Sequence, residues 1–249
     1  MGNNSTPSFQ IVHSDWFFLS LILGVIFISM FNVMGLCIKK TGVTTTAVAA
    51  KMSVIIPILF SIFIEASDIL TPLKSVGIAI ALTAVFMATY RKEQSRVDRK
   101  AILLPMILFF GIGILDSLVK YAQYRYVSED TNSLFSGTTF CIAGITGLII
   151  LVFYSEAARH LAKIKTWIFG ILLGLTNFGS MYFMISALNT VNVKTGEHYD
   201  SSVLFGINNI GIVVLGILIG YLFFRERPTK FNWIGIALSM LAIVILSFS

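Results

Sequence analysis

Asp68-Ile-Leu-Thr71-Pro-Leu-Lys-Ser-Val-Gly77 runs directly into the apolar stretch 77–88. The pattern returns as Glu226-Arg-Pro-Thr229-Lys-Phe-Asn-Trp-Ile-Gly235, which runs into the apolar stretch 235–246. Acidic residue, threonine and glycine keep their spacing at an offset of 158 residues. Five apolar spans, counting the last, carry the chain from one copy to the next. An odd number of crossings turns the second copy upside down relative to the first. Inverted repeats of membrane helices are the usual build of secondary transporters.

Composition agrees with a membrane setting. Hydrophobic residues make up 56% and charged residues 12% of the chain, and the mean hydropathy is +0.87, outside the soluble globular range. The apolar residues form eight long runs, approximately 16–36, 43–64, 73–90, 101–122, 134–154, 166–188, 202–224 and 231–248, denoted spans A to H. A hydrocarbon layer of ~30 Å demands roughly 20 helical residues, and each run is near that length. Lipid offers the backbone no hydrogen-bond partners, so helices satisfy it where open strands would not. Barrel strands would be about half as long and alternate in polarity. The expected class is therefore all-α, a polytopic membrane bundle of about eight transmembrane helices.

The first 15 residues are polar and lack a basic n-region, so span A is expected to be a retained helix and not a cleaved signal. Cys37 at the end of span A and Cys141 inside span E read as one buried thiol each, without a disulfide framework. The net charge of +6 sits in short loops, where it reports topology and not nucleic-acid binding. Loops on the side away from Met1 carry Lys39, Lys40, Arg91, Lys92, Arg96, Arg99, Lys100, Arg159, Lys163, Lys165, Arg225, Arg227 and Lys230. Those on the Met1 side carry Lys74, Arg125 and Lys194. This bias puts the Met1 side, and both termini, outside the cell.

The repeat extends beyond the opening motif. Segment 44–68 aligns without gaps on 202–226, setting Lys51 opposite Asn209. Upstream, Ser29-Met30-Phe31 matches Ser180-Met181-Tyr182 at an offset of 151, leaving seven extra residues before span G. Spans A, B and C correspond to F, G and H, while D and E have no counterpart. The organisation is a polar segment 1–15, a first repeat of three helices over 16–90, a basic linker 91–100, and a second repeat of five helices over 101–249. The simplest account is that two helices once preceded span A: either an ancestor lost them, or the polypeptide begins at an internal methionine.

On these residues the chain resembles the drug/metabolite transporter superfamily, EamA-type permeases. The two acidic-x-x-Thr-x5-Gly stretches, Lys51-Met-Ser-Val-Ile-Ile-Pro57, and Ser-Met-(Phe/Tyr) in spans A and F carry the likeness. The resemblance implies a permease of ten helices in two inverted five-helix repeats, with cytoplasmic termini. This chain departs in its three-plus-five helices and in a charge bias that places the termini outside.

Lys51 is the sharpest candidate for chemistry. It lies about eight residues into span B, roughly 12 Å deep at ~1.5 Å per residue. A charge at such depth costs about 2.5–3.5 kcal/mol on insertion scales, so it should face the bundle interior and find a partner. It would suit a carboxylate or phosphate on a substrate; a structural ion pair or snorkelling are the plainer readings. Asn208 and Asn209 enter span G from the opposite side to a similar depth, as substrate ligands or as interhelical glue worth about 0.6 kcal/mol. Asp116 and Lys120 lie one turn apart on span D. Asp116 could relay a proton or pair with a lysine, and the head of Lys120, beside Tyr121, Tyr124 and Tyr126, could reach the interface. Asn32 and Asn177 are further in-span amides, with packing or substrate contact both open. Pro57 interrupts the ladder of span B and frees a carbonyl one turn back, near Ser53, which suits a hinge or a carbonyl donor, although membrane helices often carry prolines without such a role. Gly170 with Gly174 and Gly216 with Gly220 form small-x-x-x-small faces suited to close packing. Asp68 and Glu226 stand where they can complement the helix N-termini that follow.

His13, His160 and His198 show no metal-ligand spacing, and no cofactor is implied. The phosphate loop G-x-x-x-x-G-K-[ST], H-E-x-x-H and G-x-S-x-G are absent, which speaks against ATP-driven transport by this chain and against hydrolase chemistry. The expected function is a non-enzymatic secondary transporter of a small polar metabolite in the cell membrane. Its expected partners are that small-molecule substrate, anionic at the end that Lys51 would hold, and the lipid bilayer, without nucleic acid. A homodimer stays open. The alternatives are a non-transporting scaffold, partner subunit or degenerate carrier and, more remotely, a membrane-embedded transferase.

Overall fold

A computed structural model describes residues 12–65, 68–90, 103–153, 163–192, 196, 198–223 and 229–248. The basic linker 91–100, most of the segment 1–15, Lys194 and Glu226 lie outside them. Nine helices run through the described residues: α1 (Phe17–Thr41), α2 (Val43–Met52), α3 (Ile55–Ile64), α4 (Pro72–Thr89), α5 (Leu103–Arg125), α6 (Glu129–Phe153), α7 (Ile164–Asn189), α8 (Ser201–Phe223) and α9 (Lys230–Ser247). Helices α2 and α3 together form span B, so eight spans are present, as the apolar runs require. Among the described residues six stretches are long and apolar enough to cross a membrane, while α4 and α9 are shorter apolar helices.

Polar terminal turns explain where helices outrun their apolar runs. Lys39 and Lys40 occupy the last turn of α1, where positive charge complements the C-terminal dipole. Glu129 and Asp130 occupy the first turn of α6, with the opposite logic. Between α1 and α2 the chain turns on Gly42, whose φ of 87° and ψ of 163° fall in a region closed to residues with a Cβ.

The repeated threonine proves to be a helix cap in both copies. Thr71 accepts a hydrogen bond from the Lys74 amide at 3.1 Å, and Pro72 takes the first helical position, where no N–H is needed. Thr229 accepts from the Asn232 amide at 3.2 Å, while Asn232 Oδ1 accepts in return from the Thr229 amide at 2.9 Å.

The chain divides into two compact units, Met1–Ser29 with Leu118–Val191 and Met30–Ser117 with Asn192–Ser249. Each draws segments from both sides of the linker.

In the first unit α6 lies against the start of α1. Trp16 meets Phe135 edge to face at 5.9 Å between ring centroids, and Phe27 meets Phe140 at 5.0 Å. On its other side α6 is tied to α7 by buried Asn132, which donates to the Tyr182 carbonyl at 2.9 Å and to Ser186 Oγ at 3.0 Å. A Cβ added at Gly170 or Gly174 of α7 would meet nothing within 4 Å, so the close packing expected of these glycines is not made among the described residues.

In the second unit α4 and α9 pack antiparallel around Ala81, Val85, Ala88, Ala242 and Leu246, with Ile210 and Val213 of α8 against them. Gly77 lies under Leu246 and Ile245, and Gly235 lies under Ala88 and Ala84. Adding the repeat offset of 158 to 77 and 88 gives 235 and 246, so these are one contact made twice. A local two-fold relation between the repeats follows from the packing itself.

Candidate functional site at the repeat axis

Span B breaks at Ser53–Val54, four and three residues before Pro57. Proline supplies no N–H, and the ladder tightens to compensate: Ile56 donates to the Ser53 carbonyl at 3.0 Å, an i to i−3 bond. Ser53 Oγ turns back to the Ala50 carbonyl at 2.7 Å. The expected free carbonyl near Ser53 is therefore occupied. The carbonyl that leaves the ladder is that of Lys51, and Asn209 Nδ2 of α8 donates to it at 3.0 Å.

Positions 51 and 209 are repeat mates. A residue that touches its own mate lies on the axis relating the repeats, so the break in α2–α3 and the amide of α8 meet at the centre of the inverted pair. Lys51 is half-buried there, and α5, which carries Asp116, packs close by. Two glycines bring α5 close: Gly111 lies against Met30 of α1, and Gly113 against Ile56 of α3. Lys51, Asn209 and Asp116 thus share one unit and one neighbourhood. A cleft of about 440 Å³ between α2 and the first turns of α5, walled by Thr45, Ala49, Met52, Met106 and Phe109, is separate from this group.

The remaining candidates are more scattered. Asn208 is exposed, its side chain turned away from buried Asn209 by the ~100° step of a helix. Asn32 is exposed on α1. Asn177 belongs to the other unit and donates to the Leu173 carbonyl of its own helix at 2.8 Å. Lys120 is also in that unit. It is buried, donates to Gln123 Oε1 at 2.8 Å and sits 5.5 Å from the Tyr124 ring centroid. Gln123 passes the network to Asn189 Oδ1 at 2.8 Å, so the ammonium is satisfied inside the protein.

One polar cluster was missed from sequence. Buried Lys74 pairs with Asp68 at 2.8 Å and also with Asp200. Asp68 accepts from the Ser202 amide at 2.7 Å and from Ser202 Oγ at 2.6 Å, and Ser201 Oγ donates to Glu65 at 2.6 Å. Asp68 therefore serves the N-terminus of α8, not that of α4 as expected, because Thr71 already caps α4. The signal was available: Asp68, Lys74 and Asp200 stand at span ends on one side of the membrane, where ion pairing is the economical arrangement. In the second copy Asn232 replaces Lys74. It donates to the carbonyls of Met87, Ala88 and Tyr90 at 3.1, 2.9 and 2.8 Å, so neutral amide bonds do at one end what charges do at the other.

The model of the EamA-like transporter family matches residues 99–248. This chain belongs to the EamA-like transporter family. As an EamA-like protein it is a membrane transporter of the drug/metabolite superfamily and a multi-pass integral membrane protein. Members of this family are transporters and not enzymes. It is similar to an uncharacterized protein of Haemophilus influenzae (strain KW20 / Rd), with 29% identity over 230 residues that cover 92% of this chain and 74% of the relative. A solved crystal structure of a protein at 12% identity superposes with a TM-score of 0.64, covering 98% of this chain and 90% of its own. That likeness supports the EamA-like chain's fold.

Proposed function

We propose that this protein is a secondary transporter of the cell membrane that moves a small polar metabolite by alternating access. One observation carries the reading: the Asn209 amide meets the Lys51 carbonyl across the repeat axis at 3.0 Å. Transporter sites lie where inverted repeats meet near the midplane, and broken helices there expose backbone groups to cargo. Lys51 is the anchor for a carboxylate or phosphate of the substrate, Asn209 holds the broken helix in register, and Asp116 is the proton-coupled group. Asn208 and Asn32, in the same unit, are secondary ligands, recruited as the bundle changes conformation. Pro57 is the hinge.

The test uses Lys51→Met protein reconstituted in proteoliposomes, with insertion verified first. Uptake is measured for a panel of isotope-labelled carboxylates, amino acids and phosphate esters. The expected result is at least a tenfold loss for every compound that the native protein transports. Undiminished uptake would remove Lys51 from the mechanism.

A further inference from the structure

Helix α5 meets its neighbours in the same unit at Gly111, which lies against Met30 of α1, and at Gly113, which lies against Ile56 of α3. Its first turns, ahead of those contacts, stand off from α2. Between them lies the cleft of about 440 Å³, with Thr41, Ala49 and Met52 on one wall and Met106, Phe109 and Phe110 on the other. The surface lining it is apolar throughout. Thr41 adds no polarity, because its hydroxyl donates to the Cys37 carbonyl at 2.9 Å. Met106 and Phe110 are 53% and 54% exposed, so the cleft is open to the surroundings of the bundle. A polar cargo would forfeit its hydrogen bonds to water there and gain none. A hydrocarbon chain suits it.

The mouth of the cleft is cationic. Lys39 and Lys40 lie in the last turn of α1, immediately before Thr41, and both are exposed. Helices α1, α2 and α3 contain no aspartate or glutamate, so no carboxylate of their own neutralises the pair. An apolar slot beside two ammonium groups complements an anionic head on an acyl tail. Basic pockets between transmembrane helices bind lipid head groups of that kind. We infer that the cleft between α2 and α5 seats an anionic phospholipid from the leaflet on the side away from Met1. One acyl chain lies along Ala49, Met52 and Phe109, and Lys39 and Lys40 take the phosphate. The seat is separate from the meeting of Lys51 with Asn209, and it stands whatever the protein transports.

The test uses the full chain in detergent micelles and phosphatidylglycerol with a diazirine in one acyl chain. A phosphatidylethanolamine with the same tail serves as the comparison. After irradiation the labelled peptides are mapped and the labelling is titrated. The phosphatidylglycerol probe is expected to mark residues 41–52 and 103–110 at concentrations where the phosphatidylethanolamine probe marks neither. Lys39→Gln combined with Lys40→Gln, both at the surface, should weaken that labelling roughly thirtyfold, the weight of two basic residues near a membrane surface. Ala49→Trp, which fills the cleft, should abolish the label there without lowering the melting temperature; should that variant not fold, the lysine pair decides alone. Equal labelling by the two lipids would mean ordinary solvation of an apolar surface and would overturn the inference. So would label confined to other helices, label unchanged in the double lysine variant, or displacement of the label by the water-soluble compounds of the uptake panel.

Discussion

Lys74 is held between Asp68 and Asp200 with 1% of its side chain exposed, and its removal would leave the buried Asp68 carboxylate without its counter-ion. Breaking one side of a buried pair costs about 3–5 kcal/mol, far more than a surface bridge contributes. Lys74→Met is therefore expected to lower the melting temperature in detergent sharply, whereas an unchanged melting curve would show that the cluster contributes nothing to the fold. Asn209→Leu removes the donor to the Lys51 carbonyl and should cost less, about 0.6–1.7 kcal/mol by the range for interhelical bonds in membranes. Its depth made Asn209 visible in sequence as a candidate. Asn132 and Lys74 were passed over because they stand at the polar edges of spans, where nothing in composition separates a solvated loop residue from a buried one.

At the level of the helices, close approach depends on glycines whose partners are backbone in one case and side chain in another. A Cβ at Gly235 would collide with the Ala88 amide and the Ala84 carbonyl, atoms that cannot move without separating α4 from α9. Gly235→Ala should destabilise by about 1–3 kcal/mol through overpacking, while Gly144→Ala, which meets nothing within 4 Å, should be neutral or mildly stabilising. Equal melting temperatures for the two variants would contradict the packing described. Pro57→Ala restores an N–H facing the Ser53 carbonyl, which allows span B to run as a more regular helix through the break. The expected outcome is normal insertion with slower uptake, and native uptake rates would remove Pro57 as the hinge. The proline announced the break, but which carbonyl left the ladder depended on the compensating bond from Ile56, a geometric choice that residue order does not encode.

For the molecule as a whole, apolar run length made the eight spans legible, and a 158-residue offset made their inverted relation legible. What the repeat could not reveal was how the two copies divide their labour: charges at Asp68, Lys74 and Asp200 at one end, amide bonds from Asn232 at the other. Orientation remains a proposal from charge placement, with both termini outside. In intact cells a C-terminal epitope should then be cut by external protease, and complete protection would contradict it. The central claim, that Lys51 and Asn209 meet as repeat mates at one transport site, has a direct measurement. Uptake of the labelled carboxylate, amino acid and phosphate-ester panel is compared for native protein, Lys51→Asn, and the swap Lys51→Asn with Asn209→Lys. The account predicts that the single variant is silent and that the swap, which returns the lysine from the other repeat, regains measurable uptake; native rates in the single variant would contradict it.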